Sequence, residues 1–162
     1  MTERQIRIFG DPVLKTVSAA VRPSDDVRGL VEDLVETVAV PGRAGVAAPQ
    51  IGVNQRVFSY NVDGMIGYII NPVLVEVSGE PELVDEGCLS IPGFYFQRLR
   101  FPTARATGIN LAGEPVVLEG TGLMAQALQH EIDHLDGKLF IDGLSKESRR
   151  EAMGAIRGAE WF

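Results

Sequence analysis

Residues 129–137 read QHEIDHLDG. Both histidines of the chain lie here, His130 and His134, with Glu131 between them. On an α-helix, positions i and i+4 share a face, so two imidazoles at this spacing can grip one metal ion. HExxH on a helix is the pattern of metal hydrolases in which the glutamate is the general base. The bland alternative is a pair of core histidines that satisfy each other. The surrounding segment, residues 121–137, has helical period and ends at Gly137, a favourable C-cap residue. Leu123, Met124, Ala127, Leu128, Ile132 and Leu135 leave it little polar face, so it is expected to be a buried helix.

The sequence around this helix suggests one catalytic domain over residues 1–162, a length that supports a real core. The net charge of −7 argues against a nucleic-acid partner, which would want a basic face. No stretch approaches the ~18–20 apolar residues of a membrane helix. The first ten residues, MTERQIRIFG, have no apolar run of the kind that directs secretion. Cytoplasmic residence is the expectation. The single cysteine rules out an internal disulfide and is free for chemistry or a metal.

Residues 22–42 read as an amphipathic helix through Val27, Leu30, Val31, Leu34, Val35 and Val38, with Ser24 as N-cap and Pro41-Gly42 as the stop. Residues 56–70 suggest two strands around an Asp63-Gly64 turn, and 71–80 a further strand. Residues 104–120 suggest a second hairpin turning near Ala112-Gly113. The charged tail, 145–162, reads as a surface helix, and the acidic run PELVDEG as an exposed segment. The expected class is α+β: antiparallel β-sheets around a central buried HExxH helix, an N-terminal amphipathic helix and a C-terminal surface helix.

A catalytic metal of this type has three protein ligands and one open position. The extended pattern HExxHxxGxxH fails, because Phe140 stands at its ligand position. Glu147 or Glu151 would suit the other common protease arrangement by distance along the chain. Upstream, DEGCLSIPG at 85–93 contains Cys88, whose thiolate is a strong ligand for zinc or iron.

The chain resembles the peptide deformylase family through three blocks in order: GVAAPQ at 45–50, EGCLS at 86–90 and QHEIDHLDG at 129–137. One block alone is weak; three at this spacing are specific. The resemblance covers nearly the whole chain. It implies one divalent metal held by Cys88, His130 and His134, with ferrous iron expected and zinc, nickel or cobalt also suited to the ligands. It implies hydrolysis of the N-formyl group of formylmethionyl peptides by a metal-activated water. Glu131 then serves as general base and acid, and the Leu89 N–H and the Gln50 side chain as oxyanion donors. Gly45, lacking a Cβ, is expected to let the peptide backbone lie close, with Ala44, Gly87 and Glu86 beside it. Leu123 and Ala127 are candidates for the wall of the methionine pocket. The implied partners are nascent formylmethionyl peptides met near the ribosome exit, with no nucleic acid, no membrane and a monomeric enzyme.

Two places depart from or blur the family pattern. Arg43 stands where the family has glycine. It is expected at the rim of the substrate groove, its guanidinium in water, with Gly42 taking up the special conformation. The family's substrate-contacting arginine falls near residues 93–102; Arg98 and Arg100 are candidates, and the simpler expectation for both is a solvated charge. Two other functions compete: an HExxH endopeptidase with a glutamate as third ligand, and a non-catalytic binder of metal and formyl peptide.

Overall fold

The computed structural model describes residues 3–162. Its class is α+β, with antiparallel sheets and three α-helices. Helix α2, Gly122–Leu135, carries the HExxH stretch, and its residues from Met124 onward are buried apart from Gln126 and Asp133. It ends at Leu135, and Gly137 then adopts a left-handed φ of 74°.

The other helices are α1, Arg28–Val38, and α3, Lys146–Arg157. The strands are β1 (Gly45–Ala47), β2 (Val57–Val62), β3 (Met65–Ser78), β4 (Glu82–Cys88), β5 (Ile91–Arg100), β6 (Thr103–Ile109) and β7 (Pro115–Thr121). Five of them form a sheet in the order β1-β2-β3-β6-β7, and β4 pairs with β5 as a separate ribbon.

The sheet is covered by α1 on one face and α2 on the other. Alternation in the strands divides the core accordingly. Val46, Val57 and Ile70 pack with Val31, Leu34 and Val38 of α1. The neighbouring positions Ala47, Phe58 and Ile69 pack with Leu128, Ile132 and Leu135 of α2. A third cluster, Leu14, Ile91, Phe140, Ile141 and Ile156, joins the ribbon to α3. The three-residue β1 lies at the end of the sheet order, beside α2.

The Asp63-Gly64 turn forms, with φ of 52° and 80°, the double positive conformation that suits a two-residue hairpin. The second hairpin turns over residues 110–114, as the sequence suggests.

Two expectations are corrected. Helix α1 begins at Arg28, not after Ser24, because Arg22 and Asp25 close a turn first. The Arg22 N–H donates to Asp25 Oδ2 at 2.9 Å and the Asp25 N–H to the Arg22 carbonyl at 2.9 Å. Residues 71–78 are not a separate strand but the second half of β3, which continues past irregularities at Ile70/Val73 and Leu74/Glu76. The acidic run is largely exposed, as expected, and most of it is strand β4, with Glu86 turned inward. Its period-two pattern was hidden because two of the ribbon's inward positions, Glu86 and Arg100, are charged and paired.

Candidate metal centre

Cys88 ends β4, and residues 89–90 turn the chain into β5 at Ile91. This turn aims the Ser90 N–H at Cys88 Sγ, 3.4 Å away. Opposite lie two side chains one turn apart on α2. His134 Nε2 is 3.4 Å from Cys88 Sγ and 3.2 Å from His130 Nε2. The three ligand atoms lie within 4.8 Å of one another. Neither Glu147 nor Glu151 belongs to this cluster.

Which nitrogen of His130 faces the cluster is set from behind. Its Nδ1 is 2.7 Å from Glu86 Oε2. An ionised Glu86 accepts only, so Nδ1 carries the proton and the Nε2 lone pair faces inward. Glu86 is kept ionised. Burial pushes its carboxyl up, but the Arg100 and His130 bonds outweigh that and hold it at about 2. Arg100 grips both oxygens, Nε to Oε1 at 2.8 Å and Nη2 to Oε2 at 2.6 Å, and also reaches Asp133 at 2.9 Å.

The donor set fits a divalent cation. One sulfur and two imidazole nitrogens converge within 4.8 Å, a mixed set suited to zinc or ferrous iron. Burial disfavours a charged His130, yet the anionic Glu131, Cys88 and Glu86 around it raise its pKa well above the ordinary histidine value. Surroundings that would hold a proton there equally favour a metal ion. His134, buried and facing His130, is driven well below the ordinary value, toward the neutral form that ligates.

Glu131 stands beside this cluster, 3% exposed, with Oε2 4.0 Å from His130 Nε2 and Oε1 buried without a partner. Burial, opposed by the charge on His130, pushes its carboxyl up to about 7. Gly45 explains how it fits. A Cβ on Gly45 would lie 2.6 Å from Glu131 Oε2 and 2.8 Å from Cγ and Cδ. The sequence reading assigned this glycine to clearance for the substrate; the group it clears in the structure is Glu131.

Gln50 is oriented by its backbone neighbour. Its Oε1 accepts the Ala47 N–H at 2.9 Å, so its amide Nε2 faces Ser90 Oγ at 3.2 Å and Cys88 Sγ at 3.7 Å. A neutral donor is thereby presented to the same space.

That space is a cavity of about 480 Å³. One wall is the approach to β1, including Ala44, Gly45 and Gln50. The facing wall is the ribbon, with Glu86, Gly87, Cys88 and Leu89. The floor is α2, through Leu123, Ala127, His130 and Glu131. His134 lies behind, 1% exposed. Leu123 is half-exposed at the mouth and Ala127 is buried.

The two arginines are not the solvated charges expected, with side chains 15% and 5% exposed for Arg98 and Arg100. Arg100 is buried on Glu86, and Arg98 turns behind the ribbon to the Phe140 carbonyl at 3.2 Å; neither lines the cavity. Tyr95, which the sequence reading passed over, does. Arg43 lines the rim, as expected, but its guanidinium is tied back rather than free in water. It donates to the Thr37 carbonyl at 2.8 Å near the end of α1, and the side chain is 19% exposed. Gly42 takes the positive φ, 89°, as expected.

A thiolate and two imidazoles about an HExxH glutamate define a metal-dependent hydrolase. The family model for polypeptide deformylase matches residues 3–150. The chain belongs to the peptide deformylase family. It is 52% identical to a peptide deformylase of Acidothermus cellulolyticus over 162 residues, covering 99% of this chain and 89% of that one. It is 41% identical to peptide deformylase 1 of Corynebacterium efficiens, covering 100% and 99%. Among solved structures, the peptide deformylase of Legionella pneumophila superposes with a TM-score of 0.88 at 34% identity, covering 96% of this chain and 94% of that one. That of Ehrlichia chaffeensis in complex with actinonin gives 0.87 at 33% identity and covers 100% of both. The protein is accordingly an enzyme, a metal-dependent hydrolase of a family that removes the N-formyl group from nascent peptides.

Proposed function

We propose that the chain acts as a single catalytic domain on formylmethionyl peptides in the cytoplasm, near the ribosome exit and as a monomer, with ferrous iron held by Cys88, His130 and His134. The observation that carries this reading is the convergence of those three ligand atoms within 4.8 Å beside Glu131. When bound, the metal supplies Lewis acidity that makes water a nucleophile near neutral pH.

The peptide lies between β1 and the ribbon, adding to the outer edge of β1 as a short strand. Ala44, Gly45 and Gly87 flank its backbone. Leu123 and Ala127 receive the methionine side chain. Glu131 takes a proton from the attacking water and delivers it to the leaving amine. Its raised carboxyl suits both steps, since a pKa near the working pH allows uptake and release. The Gln50 amide and the Leu89 N–H donate to the oxygen on which charge develops, a contribution of about 10²–10³ in rate per donor. Glu86 acts indirectly, by fixing the His130 tautomer.

The test is turnover of formyl-Met-Ala-Ser against acetyl-Met-Ala-Ser, with bound metal measured in the Cys88→Ala variant. Deformylation of the first substrate, rejection of the second and loss of metal from the variant are expected. Metal retained without Cys88 would favour the endopeptidase arrangement, and metal without turnover a binder.

A further inference from the structure

We infer that Trp161 is a positioning residue that holds the peptide-facing wall of the cavity in place. It is the only tryptophan of the chain and lies beyond α3, outside all three sequence blocks.

The wall segment needs such support. Pro92, Gly93 and Phe94 all line the cavity. In the β4–β5 register Ile91 stands opposite Cys88, and the next partnered residue is Tyr95, opposite Gly87. Residues 92–94 therefore have no partner on β4, and Gly93 takes a φ of 85°. An unpaired stretch at the edge of a cavity is held only by what packs behind it.

Trp161 packs behind it. Its indole N–H donates to the Pro92 carbonyl at 3.0 Å. Its ring meets Phe94 edge-on, with centroids 6.3 Å apart at 71°, a favoured aromatic arrangement. The anchor is itself anchored. Phe162 meets Trp161 at 6.4 Å and Phe9 at 6.2 Å. The Phe9 N–H donates to the Ser90 carbonyl at 2.8 Å. The segment from Ser90 to Phe94 is thus clasped at both ends by one aromatic group drawn from two distant parts of the chain. The hydrogen bond and ring contacts of Trp161 itself go to Pro92, Phe94 and Phe162, not to Glu131 or a metal ligand. Loosening the clasp should weaken peptide binding and leave the chemical step intact.

This inference rests on the deformylase reading of the cavity. It is tested on the metal-loaded full chain with Trp161→Phe and Trp161→Ala. The KM for formyl-Met-Ala-Ser should rise about three- to tenfold in Trp161→Ala, the range expected for one lost hydrogen bond with its packing. In Trp161→Phe, which keeps a ring but loses the N–H, the rise should be smaller. In both, kcat should stay within about twofold and metal content should be unchanged, whereas a merely structural role would lower Tm and leave KM alone. Because Trp161 is the sole tryptophan, its emission should also shift saturably when Met-Ala-Ser is added to the wild type, with half-saturation at the inhibition constant of that peptide. If Trp161→Ala fails to fold, Trp161→Phe and the emission titration decide. An unchanged KM in the variants, or an emission unmoved by inhibitory Met-Ala-Ser, overturns the inference. A wild-type enzyme inactive on formyl-Met-Ala-Ser would overturn the deformylase reading instead.

Discussion

Gly45→Ala separates two reasons for a glycine at the centre of the site. If the glycine clears space for the peptide, a methyl group there obstructs binding and raises KM. If it clears space for Glu131, the methyl group displaces the proton carrier and lowers kcat. The geometry favours the second. The new Cβ would sit 2.6–2.8 Å from three atoms of the Glu131 side chain, where ordinary contact begins at 3.4 Å. Relief requires the carboxylate to retreat by about 0.6–0.8 Å. The retreat open to it is into the cavity whose floor it forms, away from its place beside His130. A misplacement approaching 1 Å at a reacting group can cost ~10²-fold, so a fall in kcat of about 30- to 100-fold is expected. KM should change by no more than a few-fold and bound metal should be unaffected, since Gly45 does not touch the ligands through its side of β1. The assay is steady-state turnover of formyl-Met-Ala-Ser, with metal content and thermal unfolding as controls. Preserved kcat with a raised KM would refute the clearance of Glu131 and restore the peptide as the group Gly45 accommodates.

Glu131→Gln should retain the metal and lose turnover by roughly 10²–10⁴-fold, the range for a positioned general acid–base; a near wild-type kcat would remove Glu131 as proton carrier. Arg43→Ala should destabilise the fold by about 1 kcal/mol in denaturant titrations, through the lost bond to the Thr37 carbonyl at the end of α1. The same variant should leave the relative KM for acidic and neutral peptides unchanged, and a charge-selective shift would put the guanidinium in the groove after all. Asp142 gives an acid-limb prediction. Burial raises its carboxyl, but bonds from Lys15 and the Leu139 N–H outweigh this, so the folded pKa lies below the ordinary 3.8. Its stabilising contribution is then complete above about pH 4 and is lost as pH falls through the folded value. Asp142→Asn should therefore flatten the acid side of the stability–pH curve, measured by unfolding between pH 2 and 6; an unaltered curve would refute it.

Much of the site was legible because its chemistry is local in sequence. His130, Glu131 and His134 share one helix, and Cys88 and Gln50 lie in short blocks whose backbone neighbours Ser90 and Ala47 orient them. The hairpins carrying Asp63-Gly64 and Gly113 were legible for the same reason, since turn residues need only their own φ. The ribbon was harder. Its inward charges Glu86 and Arg100 break hydrophobic alternation, and their pairing across the strands is visible only in three dimensions. The Arg43 guanidinium was misplaced because a long side chain chooses among distant acceptors, and the Thr37 carbonyl lies six residues back on a different element. The helix start at Arg28 was missed because the Arg22–Asp25 turn competes with Ser24 for the same backbone.

The position of β1 has a consequence for the behaviour of the protein in a crowded solution. An end strand offers unpaired backbone groups to any extended chain, and long flat ones seed aggregation. Here that hazard is cut down by length and by occupation. The strand is three residues long, and the Ala47 N–H is already taken by Gln50 Oε1 at 2.9 Å. By the two-residue alternation of a strand, what stays open on the outer side is the backbone of Gly45, recessed in the cavity above α2. A single recessed residue suits a slim peptide terminus and excludes the flank of a folded neighbour. This edge of the sheet therefore discriminates between chains by their thickness.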